Sequence, residues 1–268
     1  MSEQVTSSHL ATVITGASSG IGEAIARRLA AEEKQTLVLV ARRAEKLTEL
    51  AAELQKAHSL RVDVIALDLE KPGAAKALVE EVAVRGLAID TLINNAGFGI
   101  NDPFADMPLD RIQGMIQLNI VALTELCHAV LPDMHSRQQG RIMNIASVAG
   151  FQACPRFAVY AATKSFVLNF TEALAVEERK QGILVTAVCP GATNTAFHDV
   201  AGNHGTFVEK IMDSADDVAV SAINALNAGK SVIVTGLLNK PLPFLLRFVP
   251  RGLATVLAGI LVTREKTA

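Results

Sequence analysis

A chain of 268 residues, half of them hydrophobic, can bury a full core and sits at the upper end for a single domain. Its 25 basic and 27 acidic residues are spread along the sequence and leave a net charge of −2, so there is no basic field to hold nucleic acid. The polar first ten residues have neither a basic n-region nor an apolar signal core, and Cys127, Cys154 and Cys189 form no C-x-x-C, so we expect buried thiols, a reducing compartment and a cytoplasmic location.

Along the chain, short β-branched apolar runs alternate with longer helical patterns. Strands are predicted at Leu10–Ile14, Thr36–Val40, Arg61–Ala66, Thr91–Asn94, Arg141–Ala146, Ile183–Val188 and Ser231–Thr235. Helices are predicted at Ile21–Glu33, Glu45–Ala57, Ala74–Arg85, Leu109–Met134, Phe157–Glu178 and Asp216–Ala228. Apolar strands that alternate with helices argue for a parallel sheet covered on both faces, because each crossover returns through a helical layer. The expected fold is therefore doubly wound α/β around a mostly parallel, seven-stranded sheet. Its ligand crevice should lie at the carboxyl ends of the strands, where the strand order reverses.

The first strand leads into Thr15-Gly16-Ala17-Ser18-Ser19-Gly20-Ile21-Gly22. Glycines at a strand-to-helix turn let the backbone pass close to a diphosphate, whose charge rests on exposed amides and the positive helix end. The spacing G-x-x-x-G-x-G departs from the general dinucleotide fingerprint, and a turn used for tight packing alone is the other reading. Tyr160, the single tyrosine, stands four residues before Lys164 on one helical pattern, which puts a phenol and an ammonium side by side. A tyrosine of ordinary pKa, about 10, needs roughly 4 kcal/mol to titrate near neutrality. One positive charge about 4 Å away supplies energy of that order at an intermediate dielectric. An ordinary helix-surface pair would have the same spacing.

Taken in order, Thr15-Gly-x-x-x-Gly-x-Gly22, Asn94-Asn95-Ala96-Gly97, Asn119, Ser147, Tyr160-x-x-x-Lys164 and Pro190-Gly191 resemble the short, single-domain type of short-chain dehydrogenase/reductase. The resemblance spans roughly residues 10 to 235, and six motifs in order are far more specific than one. It implies a Rossmann-like dinucleotide-binding and catalytic unit over residues 1–236, with 237–268 as an apolar C-terminal extension of the same domain. It implies that Tyr160 is the general acid or base, that Lys164 lowers its pKa and holds the cofactor ribose, and that Ser147 bonds the substrate oxygen. Asn119, a poor helix former inside a helical pattern, would hold a water that links Lys164 to solvent. A loop cap for Ser147 and a solvent-facing position for Asn119 remain open.

The same resemblance implies cofactor contacts along the crevice. Gly16, Ser18, Ser19, Gly20, Ile21 and Gly22 would cradle the diphosphate; Asp68 and Leu69 would meet the adenine; Asn95, with Ala96 and Gly97, would lie against the adenosine ribose. Pro190, Gly191 and Thr193 would meet the nicotinamide carboxamide and Thr195 the phosphates. A strand-end turn and an N-cap are the structural alternatives for Asn95 and Asp68. NAD-selective sites usually place a carboxylate at the end of the second strand, whereas this chain has Arg42-Arg43 there. Cations at the start of a helix are disfavoured unless an anion joins them, and a ribose 2′-phosphate onto which Arg42 forks would be one, so NADP(H) is expected over NAD(H). A solvated charge pair is the alternative.

The stretch from Phe197 to Met212 reads as a mobile lid or a connector, and its His198 and His204 match no metal spacing. Phe98, Phe151, Cys154, Phe157 and Phe197 flank the motifs and suit an apolar carbonyl or alcohol substrate, although each is equally a core residue. The family's usual glycine-rich tail is replaced by Lys240-Pro-Leu-Pro-Phe-Leu-Leu-Arg247 and the uncharged run Gly252–Thr263, which puts the common tetramer in doubt while leaving a homo-oligomer expected. That run is 12 residues, too short for a transmembrane helix. It could cover the cleft, join subunits or lie peripherally on a membrane. The expected activity is an NADP-dependent carbonyl reductase or alcohol dehydrogenase. A nucleotide-sensing protein without turnover is the alternative class, and a sugar-nucleotide epimerase or dehydratase a weaker third.

Overall fold

The computed structural model describes residues 10–32, 35–197, 201, 206 and 212–263. Seven parallel strands form one sheet in the order β3-β2-β1-β4-β5-β6-β7. They are β1 (Leu10–Thr15), β2 (Thr36–Ala41), β3 (Val62–Ala66), β4 (Ala88–Asn94), β5 (Gly140–Ile145), β6 (Ile183–Cys189) and β7 (Val232–Val234). Strands β1, β2, β4 and β6 are buried almost throughout, as a sheet packed on both faces demands. The edge strands β3 and β7 are less buried.

The helices divide into two layers. Residues of α1 (Gly20–Glu32), α2 (Ala44–His58) and α7 (Ala215–Asn227) bury with Ile14, Leu37, Leu39 and Ile93. Residues of α3 (Ala74–Val84), α5 (Leu123–Arg137) and α6 (Ala158–Glu178) bury against the opposite face with Val13, Val38, Leu92 and Ile142. In α2 the stripe Leu47, Leu50, Ala51, Leu54 repeats at helical spacing and supplies the buried face.

The predicted helix Leu109–Met134 is three pieces: α4 (Leu109–Ile116), a π-helical turn at Gln117–Ala122, and α5. The wider turn carries Asn119 and buries it, so asparagine's poor helix propensity is absorbed where the regular ladder is already relaxed. The rod Leu109–Arg137 is long and apolar enough to cross a membrane by length and composition. It is a core element here, because Leu123, Leu126, Cys127, Val130 and Met134 pack into the sheet's inner face. Beyond β7 the chain forms α8 (Leu242–Leu245) and α9 (Arg251–Val262), which the strand-and-helix pattern did not resolve as helices.

The sheet topology sets the location of the site. β1 pairs with β2 on one side and β4 on the other, with Ile14 beside Ile93. The chain therefore reverses its direction of travel across the sheet between these strands, and a crevice opens past their carboxyl ends.

Candidate active site

At the mouth of this crevice Thr15 acts as a clasp. Its hydroxyl donates to the Ile93 carbonyl at 3.3 Å and accepts the amides of Asn95 and Ala96, each at 3.0 Å. The Asn95 amide returns the link by donating to the carbonyls of Thr15 and Gly16 at 2.9 and 3.2 Å. Gly16 and Gly20 adopt φ of 66° and 61°, the left-handed region that favours glycine. A Cβ on Gly22 would lie 2.4 Å from Asn95 Nδ2 and 2.6 Å from the Gly16 carbonyl oxygen. Gly22 is absent from the crevice wall, so its place is behind the turn, where it allows helix and turn to close. Behind the strand ends, Asn94 donates to Asn144 at 2.9 Å and Asn144 to Thr171 at 3.0 Å, tying β4, β5 and α6 through buried side chains.

The crevice continues into one cavity of about 820 Å³. Gly16, Ser18, Ser19, Gly20 and Ile21 form one end, with Arg42, Arg43, Asp68 and Leu69 beside them. Asn95, Ala96 and Gly97 make the floor. Pro190, Gly191, Thr193 and Thr195 make the opposite wall, and Thr195 packs against Gly20, where a built Cβ would meet its methyl at 2.9 Å. Asp68 accepts the Glu70 amide at 3.1 Å, so it caps its loop while also facing the cavity.

The two arginines divide. Arg42 pairs with Glu70 at 2.9 Å on the surface, whereas Arg43 reaches over the glycine turn and donates to the hydroxyls of Ser18 and Ser19 at 3.0 and 2.9 Å. Arg43, not singled out from sequence, is thus the cation on the turn itself. Its position before α2 was visible, but its direction depends on how β2 and the turn pack.

At the other end stand Ser147, Tyr160 and Lys164. Ser147 follows β5, caps the 3-10 turn Val148–Phe151 by accepting the Ala149 amide at 3.1 Å, and hydrogen-bonds the Tyr160 hydroxyl. The loop-cap reading of Ser147 is thus realised, and the same hydroxyl faces the tyrosine. Gly150 seats this turn on α6, because a Cβ there would meet the Lys164 carbonyl oxygen at 2.8 Å. The Tyr160 ring lies between Phe157 and Phe197, with centroids 5.5 and 5.3 Å away. Gly99 makes room for this sandwich, since its Cβ would lie 2.9 Å from both Tyr160 and Phe197.

Lys164 is buried, lies 5.8 Å from the Tyr160 ring centre and donates to the Ile145 carbonyl at 2.7 Å. Asn119 sits behind Gly97. Its Oδ1 accepts the Phe98 amide at 3.2 Å, and its Nδ2 donates to the Phe98 carbonyl at 2.9 Å and to Thr163 at 3.1 Å. The asparagine therefore clamps the loop after β4 and lies outside the cavity wall.

Electrostatics among the protein's own groups differ from the sequence expectation. Burial pushes Tyr160 up to about 12; the Ser147 hydrogen bond pulls it back and Cys154 adds to the rise. Burial likewise pushes Lys164 down to about 8, with Cys189 opposing. The pairing was expected to acidify the phenol; among the protein's own groups burial is the largest influence on both, and the ammonium is directed at the Ile145 carbonyl. The protein alone holds a protonated phenol beside an easily deprotonated amine.

The three cysteines are free and buried, with Cys127 and Cys189 pushed up to about 12 and Cys154 to about 11 by burial. Among the described residues no group of His, Cys, Asp and Glu is arranged to hold a metal. His198 and His204, and most of the expected lid, lie outside the described residues. Phe98, Cys154, Phe157 and Phe197 do line the cavity, and they are joined by residues of α8 and α9 such as Leu245, Leu257 and Val262.

Comparison with known proteins agrees with this geometry. The family model described as short chain dehydrogenase matches residues 11–204. The chain is 37% identical over 215 residues to sulfoacetaldehyde reductase 2 of Chromohalobacter salexigens, covering 77% of this chain and 84% of that protein. It is 32% identical over 237 residues to the NADP-dependent 3-hydroxy acid dehydrogenase of Schizosaccharomyces pombe, covering 85% and 91%. A short-chain dehydrogenase from Sphingobium yanoikuyae, solved in complex with NADPH, superposes with a TM-score of 0.80 at 34% identity, over 96% of this chain and 98% of that one. With its motifs gathered at one crevice of a seven-stranded parallel sheet, this chain belongs to the short-chain dehydrogenase/reductase family of oxidoreductases.

Proposed function

We propose that the chain transfers a hydride between NADP(H) and the carbonyl or secondary-alcohol carbon of an apolar small molecule. The observation that carries this reading is one continuous cavity with a glycine turn and Arg43 at one end and the Ser147–Tyr160–Lys164 cluster at the other. Its volume and the close-packed glycines suit an extended dinucleotide. When bound there, the nicotinamide would supply the hydride. The NADP-dependent and NADPH-bound relatives support the phosphorylated cofactor.

The protein's residues handle the proton and the position. Ser147 and Tyr160 both bring hydroxyls toward where a substrate oxygen would lie, and each has one proton to donate as negative charge develops once the Ser147 hydroxyl turns from the phenol to that oxygen. A phenol held protonated is suited to giving its proton to an oxygen more basic than phenolate, which an alkoxide is. Lys164 keeps a cation, or after proton loss a base, next to that phenol. Asn119 acts as a positioning residue through the Phe98 backbone and Thr163. Arg43, with Arg42 released from an exposed ion pair of small value, would receive the 2′-phosphate. The aromatic and leucine lining, with no carboxylate near Tyr160 among the described wall residues, supports an uncharged apolar substrate.

NADPH oxidation against a panel of ketones, aldehydes and quinones, compared with Tyr160→Phe, tests this. The variant should bind NADPH unchanged and lose roughly 10²- to 10⁴-fold in kcat. Equal turnover in both proteins would remove Tyr160 from the mechanism. Tight NADPH binding with no turnover on any compound would favour the sensing protein instead.

A further inference from the structure

Ten of the sixteen exposed large apolar side chains among the described residues fall between Leu237 and Leu261. They belong to the terminal arm built from α8 and α9. On its inner side α9 buries Ala254, Ala258 and Val262, of which Ala258 and Val262 pack with Cys154, Phe157 and Tyr160, and Gly259 lies against Pro155. On its outer side Leu253, Val256 and Ile260 stand in solvent, continuous in sequence with exposed Phe244 and Phe248. A helix apolar on every side is ordinarily buried or in contact with lipid. A concentration of exposed apolar groups on this scale marks an interaction surface.

The charge of the arm says which surface it meets. From Leu237 to Thr263 the sequence has no Asp or Glu, while Lys240, Arg247 and Arg251 are basic, in a chain whose net charge is −2. Asp213, an acid beside the start of the arm, lies close to Gly236 and accepts from Asn239 at 3.2 Å. Arg251 opens α9, where the helix dipole disfavours a cation unless an anion stands nearby. A second copy placed symmetrically on this face would bring the same basic residues together without carboxylates to pair them. Anionic headgroups remove that conflict.

We propose that the α8–α9 arm docks flat on an anionic lipid surface. Phe244, Phe248, Val256 and Ile260 enter the boundary between headgroups and acyl chains, and Lys240, Arg247 and Arg251 meet lipid phosphates. The 12 residues of α9 reach about 18 Å, short of a bilayer core, so the arm lies in the interface and does not cross it. Leu245, Leu257 and Leu261 are exposed and also line the cavity, so docking turns the apolar side of the cavity toward the lipid. Direct entry of a membrane-dissolved substrate follows only if the proposed substrate class holds; docking does not depend on it.

Flotation of the purified full chain with vesicles of phosphatidylcholine alone, or with phosphatidylglycerol added, reads docking without turnover, so the outcome is separate from that of the reductase assay. Binding should appear with the anionic vesicles and weaken as salt rises. Each basic residue near such a surface contributes roughly fivefold, so the double variant Arg247→Gln/Arg251→Gln should bind about twentyfold more weakly. Phe248→Ser/Ile260→Ser, both outside the cavity wall, should stop floating while keeping NADPH affinity and thermal midpoint. Failure to float on anionic vesicles overturns the proposal, as does equal binding to neutral ones. A dimer in sedimentation that these substitutions split, without vesicle binding, would assign the face to a second copy.

Discussion

Lys164 offers the sharpest test of the site's electrostatics, because burial and function pull against each other there. Its ammonium donates to the Ile145 carbonyl, and burial pushes its pKa from 10.5 down to about 8. That gap corresponds to roughly 3 kcal/mol. Because the unfolded chain binds this proton more tightly than the folded one, the penalty is full below pH 8 and fades as pH rises toward 10.5. Lys164→Met removes the penalty and leaves the Ile145 carbonyl short of a donor, at a cost of about 1 kcal/mol. The variant should therefore be inactive yet about 2 kcal/mol more stable at pH 7, with a melting midpoint raised by roughly 4–8 °C. Urea unfolding of both proteins at pH 7 and at about pH 9.5 checks this. The wild type should gain stability between those values relative to the variant. A variant less stable at neutral pH, with parallel pH profiles, would refute the reasoning.

Further outcomes follow from the same geometry. Tyr160 is the single tyrosine and the chain has no tryptophan, so ultraviolet titration reads one phenol directly. With its pKa pushed up to about 12, phenolate should stay a minority at pH 11 in the folded chain, and stability should fall as pH rises from 10 through 12; ionisation complete by pH 11 without unfolding would contradict this. Arg43→Gln should raise the KM for NADPH by roughly ten- to a hundredfold and leave the KM for NADH little changed, with Arg42→Gln milder because Glu70 shares that charge. Gly22→Ala should cost about 1–3 kcal/mol in thermal stability and weaken NADPH binding, since its methyl would meet backbone at Gly16; an unchanged melt would show that the turn has slack.

The succession of elements was readable because buried parallel strands and amphipathic helices each impose a local period. The glycine turn, the Tyr160–Lys164 step and the end of β2 were readable because each depends on residues within a few positions of one another. Boundaries moved by a residue or more where the sheet register, not local propensity, set a strand's limit, as at the end of β1 at Thr15 and the start of β4 at Ala88. The break in the 109–137 rod was hidden, because a π turn changes the hydrogen-bond ladder without changing the apolar pattern.

Sequence alone therefore determined the layered fold and the family resemblance, and it named many of the side chains that line the crevice, though not Arg43. Only the tertiary structure decided that Arg43, more than Arg42, sits on the glycine turn, that Gly22 serves packing behind it, and that burial pushes the Tyr160 phenol up and the Lys164 ammonium down. The physical reason is common to all three. Direction and solvation of a side chain depend on what the other strands and helices bring against it, and those partners lie tens of residues away in the chain.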